Sequence, residues 1–364
     1  MVKLTKKGVY MKKLLLSAFC ALLMTGCTVN VEDETLSTMA NPNPKILTLF
    51  SSKSVATDKV WVGTFQLAFN DMKNNIIKKD VIFENTEPTK DLIGLNKEEF
   101  NSSMLNESSY YTSYGETSPE AKEKIKKGIK EKFNETSDVL DLADWERGVG
   151  KYYAYAMLKK EFEYNVAFDI LEKASFNNSK KQYNYFGINS DTNEKVYRNV
   201  DVLFYNDEDD FAVQLLTKSN DIVLLYRTQE NTDFKSLYEE MNKKASDYKG
   251  RRHFSEDDTL KIPNIKIDLI KRYQELCNRK IVGTDLVFSE ALETLKLELD
   301  NKGGKVKSEA IIMTKNDMVM APVALQPMHL NFDKTFVMFL IDAGKADPYL
   351  ALRVEDLEKF QTEK

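Results

Sequence analysis

Leu286-Val287-Phe288-Ser289-Glu290-Ala291-Leu292, leading into Leu295-Lys296-Leu297-Glu298-Leu299-Asp300-Asn301-Lys302-Gly303, is the stretch on which the reading of this 364-residue chain turns. Leu295, Leu297 and Leu299 alternate with Lys296, Glu298 and Asp300. Successive side chains of a strand point to opposite faces, so this alternation predicts a strand with one buried and one wet face. The pattern ends at Gly303. A long segment separates it from Phe332-Asp333-Lys334-Thr335-Phe336-Val337-Met338-Phe339-Leu340, a second, Phe-rich run.

Working outward, Ile265 and Ile267 alternate with Lys266 and Asp268 and predict another half-buried strand. Val200 to Tyr205 and Phe211 to Thr217 flank the acidic turn Asn206-Asp207-Glu208-Asp209-Asp210 and read as a hairpin. Ile222 to Arg227 predicts a further strand, followed by a helix near Phe234 to Lys244. Ser118 as cap and Pro119 in the first turn open a helix whose apolar stripe is Ala121, Ile125, Ile129 and Phe133. The lysines on its other face are interleaved with Glu120, Glu123 and Glu131 and read as a solvated surface. A helix is expected from Asp58, because Trp61, Val62, Phe65, Ala68, Phe69 and Met72 recur at helical spacing. The Ser-, Asn- and Thr-rich run Asn85 to Tyr114 is expected to be irregular. Helices mixed with mainly antiparallel strands argue for an α+β fold, and the lack of a repeat or second linker favours one large domain over 45–364.

The amino terminus carries an address. From Met11, a better start for the signal than Met1, Lys12 and Lys13 precede the apolar run Leu14 to Met24. That run is too short to span a bilayer and suits the core of a signal peptide over 1–26. Leu23-Met24-Thr25-Gly26-Cys27 resembles a lipobox, which implies lipid attachment at Cys27 and an extracytoplasmic protein anchored to a bacterial membrane. Residues 27–44, polar and ending in Asn41-Pro42-Asn43-Pro44, read as a flexible tether. Only Cys277 of the three cysteines lies in the body, so no intramolecular disulfide is expected. The whole chain has net charge −5, and removing 1–26 takes five lysines and no acid. This acidic balance argues against a nucleic-acid partner.

Catalytic chemistry is hard to find. The two histidines, His253 and His329, are far apart, and with one body cysteine the usual zinc spacings cannot be built. Both histidines read as solvated surface residues. No G-x-S-x-G elbow occurs, and Gly303-Gly304 lacks the spacing of a dinucleotide fingerprint. Asp207 to Asp210 departs from the EF-hand pattern and reads as a solvated turn. Cys277, at helical spacing from Tyr273, reads as a buried small residue without a neighbouring base. No metal or cofactor is expected, and neither is enzymatic activity.

The stretch quoted first, with the Phe-rich run and the final Tyr349-Leu350-Ala351-Leu352-Arg353-Val354, resembles the carboxy-terminal third of a serpin, and weaker similarity extends over 45–360. Leu260 to Ile267 is similar to the family's strand before a loop-bordering helix. Leu158-Lys159-Lys160-Glu161-Phe162-Glu163 to Phe168 resembles a stretch where serpins usually carry Trp-Glu, with Phe162 in place of the Trp. Glu293 stands where the family often has a histidine beneath its main sheet.

The resemblance implies a serpin-like α+β fold: a large, mainly antiparallel sheet, smaller sheets and surrounding helices. It also implies a mechanism without a catalytic site. A target protease of the serine or cysteine class cleaves an exposed loop, and the freed segment inserts into the sheet as a strand, trapping the acyl-enzyme. Gly303, Gly304, Val306, Ser308 and Ala310 form the implied hinge. Gly304, Val306, Ser308 and Ala310 fall on one face and are small or apolar, as burial in a sheet requires, while Lys305, Lys307 and Glu309 fall on the other. The family's usual distance from Gly303 points to Asp317-Met318 as the scissile bond, with Val319-Met320 close behind. The expectation is a membrane-tethered, monomeric protease inhibitor. A non-inhibitory serpin-fold binding or structural lipoprotein and a solute-binding lipoprotein stand as alternatives.

Overall fold

The computed structural model describes residues 43–305 and 326–361. The first strand, β1 (Lys45–Ile46), runs parallel to β2 (Lys59–Val62). The helix expected from Asp58 therefore starts late. Val60-Trp61-Val62 is fully buried and pairs with the carboxy-terminal strand, so the sheet claims it, and α1 (Thr64–Asp71) begins only after Gly63. Sheet pairing overrides the helical spacing here. The helix runs on as a π-helical turn, Met72–Ile77, closed by Lys78 in the left-handed region.

The stretch expected to be irregular holds a helix and the start of a strand, with 3₁₀ turns at Ser102–Met104 and Glu107–Ser109 between them. In α2 (Lys90–Asn96) the Thr89 hydroxyl accepts the Leu92 N–H at 3.1 Å, and Leu92 and Leu95 are buried. The tyrosine-rich β3 (Tyr110–Glu116) begins at Tyr110. Their signals are a single cap and a few apolar side chains in polar surroundings.

Local signals succeed at α3 (Pro119–Phe133). Ser118 accepts the Ala121 N–H at 3.0 Å, Ile125, Ile129 and Phe133 are buried, and left-handed Asn134 closes the helix. Its wet face is partly neutralised: Lys122 and Lys126 meet Asp141, and Lys127 meets Glu131.

Next, β4 (Tyr152–Leu158) passes through Lys159-Lys160 into β5 (Glu161–Glu163). There follow β6 (Asp169–Ala174), β7 (Tyr183–Ile188), β8 (Val200–Asp207), β9 (Asp210–Leu216), β10 (Ile222–Arg227) and α4 (Phe234–Asp247). The chain continues with β11 (Thr259–Pro263), β12 (Ile265–Arg272), β13 (Leu292–Leu299) and β14 (Gly303–Lys305), then β15 (His329–Asn331), β16 (Phe336–Ile341) and β17 (Pro348–Val354).

Seven strands in the order β1-β2-β17-β16-β10-β9-β8 form the largest sheet, antiparallel except for β1 with β2. Residues of β16 and β17 are buried on both faces, which is why their sequence reads as a continuous apolar run. On one face α4 brings Phe234 and Tyr238 to within 6.4 and 5.2 Å of the Phe339 ring. On the other, Phe332 lies 4.9 Å from Phe211 and 5.6 Å from Phe336. Each such side chain stabilises the fold by roughly 1.5–3 kcal/mol, and these residues belong to the largest buried apolar cluster among the described residues.

Two four-stranded sheets, β15-β11-β7-β6 and β12-β13-β14-β5, and the pair β3-β4 complete the α+β architecture. The glycine strand β14 belongs to the second of these and not to the seven-stranded sheet. Because β4 continues into β5, the β3-β4 pair and the β12-β13-β14-β5 sheet are two halves of one surface, with α1 packed beneath both β4 and β13.

Candidate functional site

Gly303, Gly304 and Lys305 form a short strand wedged between β13 and β5. Glu298 and Leu299 pair with Lys305 and Gly304 on one side, and Glu163, Phe162 and Glu161 pair with Gly303, Gly304 and Lys305 on the other. The preceding turn is closed locally, with the Asp300 carboxylate accepting the N–H groups of Lys302 (2.8 Å) and Gly303 (3.3 Å). It is also stitched to the chain after β5: the Lys302 and Asn301 carbonyls accept from Tyr164 and Phe168 N–H at 2.9 and 2.8 Å.

Phe162 explains both glycines. A Cβ on Gly303 would lie 2.0 Å from the Phe162 carbonyl oxygen, and one on Gly304 would lie 2.4 Å from the Phe162 ring. Phe162 is itself 4 % exposed. Gly304 is buried and Lys305 exposed.

Below β14 the surface splits. β13 pairs with β12 along its whole length but with β14 only at its last two residues, and β4 pairs with β3 along its whole length. Among the described residues, the remaining edges of β4 and β13 are unpaired. Between them lies a cavity of about 630 Å³ lined by Phe65, Phe69, Tyr155, Phe288 and Leu295 among others.

A buried polar network sits at the junction of β4 and β5. Lys160, fully buried, donates to Asp221 and, at 2.6 Å, to Asp342. The Asp342 carboxylate also accepts from Asn106 N–H, Asn106 Nδ2 and Ser109 Oγ, at 2.7 to 2.8 Å. Burial alone would raise the Asp342 carboxyl, yet these donors and Lys160 hold it below its ordinary value. Asp221 has fewer side-chain donors, Lys160 and Ser219, and burial pushes it up to about 6. Nothing in the sequence joins these residues.

At the other end of the cleft, Glu293 on β13 is 3 % exposed. Its carboxylate accepts the Phe65 N–H and the Tyr273 hydroxyl, both at 2.9 Å, and burial pushes it up to about 7. The rings of Phe65 and Tyr273 stack at 3.7 Å.

The chain returns at Gln326–Met328, where Arg251 does unexpected work. Arg251 pairs with the buried Asp258 and donates to the Gln326 carbonyl at 3.1 Å. Asp258 in turn accepts the Met328 N–H at 2.7 Å. Arg251 also donates to the nearby His253 carbonyl and Ser255 hydroxyl, whereas Gln326 lies 75 residues away, beyond any local pattern.

The remaining sequence candidates play smaller parts. His253 and His329 are exposed, the latter 3.2 Å from Thr259 Oγ1. The acidic turn is engaged by cations: Arg227 and Lys334 donate to Asp209, and Lys244 to Asp210. Cys277 is only half-buried, after a 3₁₀ turn rather than within an α-helix, with Sγ 3.4 Å from the Tyr273 carbonyl. Its thiol is raised by burial. Cys27, Val306, Ser308, Ala310, Asp317 and Met318 lie outside the described residues.

No protein-family model and no curated protein matches the sequence. Among solved structures, the chain is similar to Tengpin, a thermophilic serpin in its native state, at a TM-score of 0.50 and 11 % identity, over 86 % of this chain and 97 % of Tengpin. It is also similar to Serpin48, a highly specific serpin of the insect Tenebrio molitor, with TM-score 0.44 and 12 % identity over 82 % of this chain and 91 % of that one. Thyroxine-binding globulin in complex with thyroxine gives a TM-score of 0.42 and 12 % identity over 65 % and 64 % of the two chains. With Tengpin matched along nearly its whole length, and with the glycine strand, its Phe162 support and the surrounding sheets in place, this chain has a serpin-like α+β fold.

Proposed function

We propose that the chain is a single-use protease trap, tethered outside the cytoplasm by lipid on Cys27. A serine or cysteine protease attacks a loop carbonyl near Asp317-Met318, and the freed segment after Lys305 enters the cleft as a new strand before the acyl-enzyme is hydrolysed.

One observation carries this reading: two strand edges, β4 and β13, face each other across a cavity directly beyond β14. Unpaired backbone edges at a sheet invite another strand. The pairing of Gly304 with Leu299 and Lys305 with Glu298, continued in step, brings Val306 opposite Leu297, Ser308 opposite Leu295 and Ala310 opposite Glu293. Those three β13 residues are buried, and the entering side chains are small or apolar, so the added strand meets the core with a compatible face.

The test is incubation of the soluble domain with serine and cysteine proteases. An SDS-stable complex is expected, together with a rise in thermal stability once the loop is cut. Cleavage that yields neither refutes the trap.

A non-inhibitory serpin-fold lipoprotein is the second reading, and one observation favours it. The same register sets Lys307 opposite Lys296, which is already paired to Asp138 at 2.6 Å. Like charges directly opposite weaken a strand pair by a few tenths of a kcal/mol to ~1 kcal/mol. Cleavage without stabilisation and without a complex supports this reading.

A further inference from the structure

We propose that the cleft between β4 and β13 binds a small amphipathic organic cation, its ammonium beside Glu293 and its apolar body against Phe65, Phe69, Tyr155, Phe288 and Leu295.

The cavity has the size and lining of a ligand site. Its volume of about 630 Å³ falls within the roughly 300–1,000 Å³ range of pockets that hold drug-sized molecules, and such pockets combine apolar walls with a few placed polar groups.

Charge then selects the class of ligand. Among the described residues eight acidic side chains line the cleft, and six of them already sit in ion pairs with Lys151, Lys159, Lys266, Lys296 or Arg272. The class of ligand is therefore decided by the buried acid of the lining that has no ion pair among the described residues.

That group is Glu293. No cation among the described residues lies within ion-pairing distance of its carboxylate. Lys271, its cross-strand partner, acts on it only through space: its ammonium sits 4.0 Å above the Tyr273 ring and donates to Thr48 Oγ1 at 3.0 Å. A carboxylate has about four acceptor positions, and the Phe65 N–H and Tyr273 hydroxyl take two. The other two have no hydrogen-bond partner among the described residues, and Glu293 belongs to the cleft lining. Burying a carboxylate without a counter-charge is expensive, and that cost shows as a carboxyl raised to about 7. A bound ammonium offsets it and favours the ionised form, so binding releases protons near neutral pH.

The test uses three isosteric probes, 4-phenylbutylamine, 4-phenylbutanol and 4-phenylbutyrate, titrated calorimetrically into the intact chain at pH 7.5. The amine is expected to bind at least tenfold more tightly than the alcohol, and the carboxylate most weakly. Glu293→Gln should abolish the preference for the amine while leaving alcohol affinity within about twofold, and Ala68→Phe, which fills the cavity, should weaken all three. A measurement on the parent alone gives an independent check: amine affinity should rise several-fold between pH 6 and pH 8, with proton release seen in buffers of different ionisation enthalpy. Equal binding of amine and alcohol, a preference that survives Glu293→Gln, a flat pH profile, or no binding overturns the proposal. The titrations need no loop cleavage, so the ligand site stands or falls apart from the trap.

Discussion

Replacing Gly303 by alanine puts one methyl group where the structure has no room for it. The new Cβ would lie 2.0 Å from the Phe162 carbonyl oxygen and 2.8 Å from Glu163 Cα. Both are backbone atoms of β5, so no side-chain rotation relieves the clash, and β14 must withdraw by about an ångström or more. That movement weakens the pairing of Gly303, Gly304 and Lys305 with Glu163, Phe162 and Glu161. Overpacking of this kind costs about 1–3 kcal/mol, and each weakened backbone hydrogen bond adds about 0.5–1.5 kcal/mol. The expected loss is therefore about 2–4 kcal/mol in urea unfolding, with faster amide exchange in β5 and little change in β16 and β17. If the trap reading is right, the variant should also be cut by proteases with less SDS-stable complex formed. A loss below about 0.5 kcal/mol with unchanged exchange in β5 would refute the docking of β14 described above.

Two further outcomes follow from the buried charges. Lys160→Met leaves Asp221 and Asp342 buried without their cation and should destabilise the fold by about 3–5 kcal/mol in urea titrations, more severely at pH 8 than at pH 5 because protonated carboxyls need no counter-charge; a loss under about 1 kcal/mol at pH 8 contradicts this. Glu293 has a folded pKa of about 7 against a model-compound value of 4.5, so the stability tied to this group is complete below pH 4.5 and is lost as pH rises through 7. The full difference is worth about 3 kcal/mol, so Glu293→Gln should gain on the parent by about that amount between pH 4 and pH 8. Parallel stability profiles for the two proteins would show that Glu293 does not titrate in this window.

Much of the fold was legible because its determinants are short-range. Ser118, Pro119 and a stripe at helical spacing specify α3, and the acidic turn with its flanking apolar runs specifies the β8–β9 hairpin. Alternation finds β12 and β13 because only one face of each is buried. The misreadings share a cause. Val60-Trp61-Val62 fits a helical stripe, but the pairing of β2 with β17, nearly 300 residues away, makes it a strand. α2 was hidden because one threonine cap and two leucines are a weak signal in polar surroundings.

The site divides in the same way. Gly303 and Gly304 stand out in sequence, and the resemblance drew attention to Phe162, but their mutual contact is visible only in three dimensions. Lys160 lies 61 residues from Asp221 and 182 from Asp342, and no spacing rule connects them. The link from Arg251 and Asp258 to Gln326 and Met328 likewise spans some 70 residues that no local pattern bridges.

The Lys160 network also bears on how this sequence can change over generations. Its three charged members come from the β4–β5 junction, from the residue just before β10 and from the residue just after β16, so one ammonium is shared between the β12-β13-β14-β5 sheet and the seven-stranded sheet. A descendant that loses the lysine alone inherits two stranded carboxylates, and one that loses both aspartates inherits a stranded ammonium. Viable lineages must therefore keep the trio or exchange it as a set, which makes positions 160, 221 and 342 a correlated triplet among this chain's relatives, with Asn106 and Ser109 free to drift only while Asp342 retains enough donors.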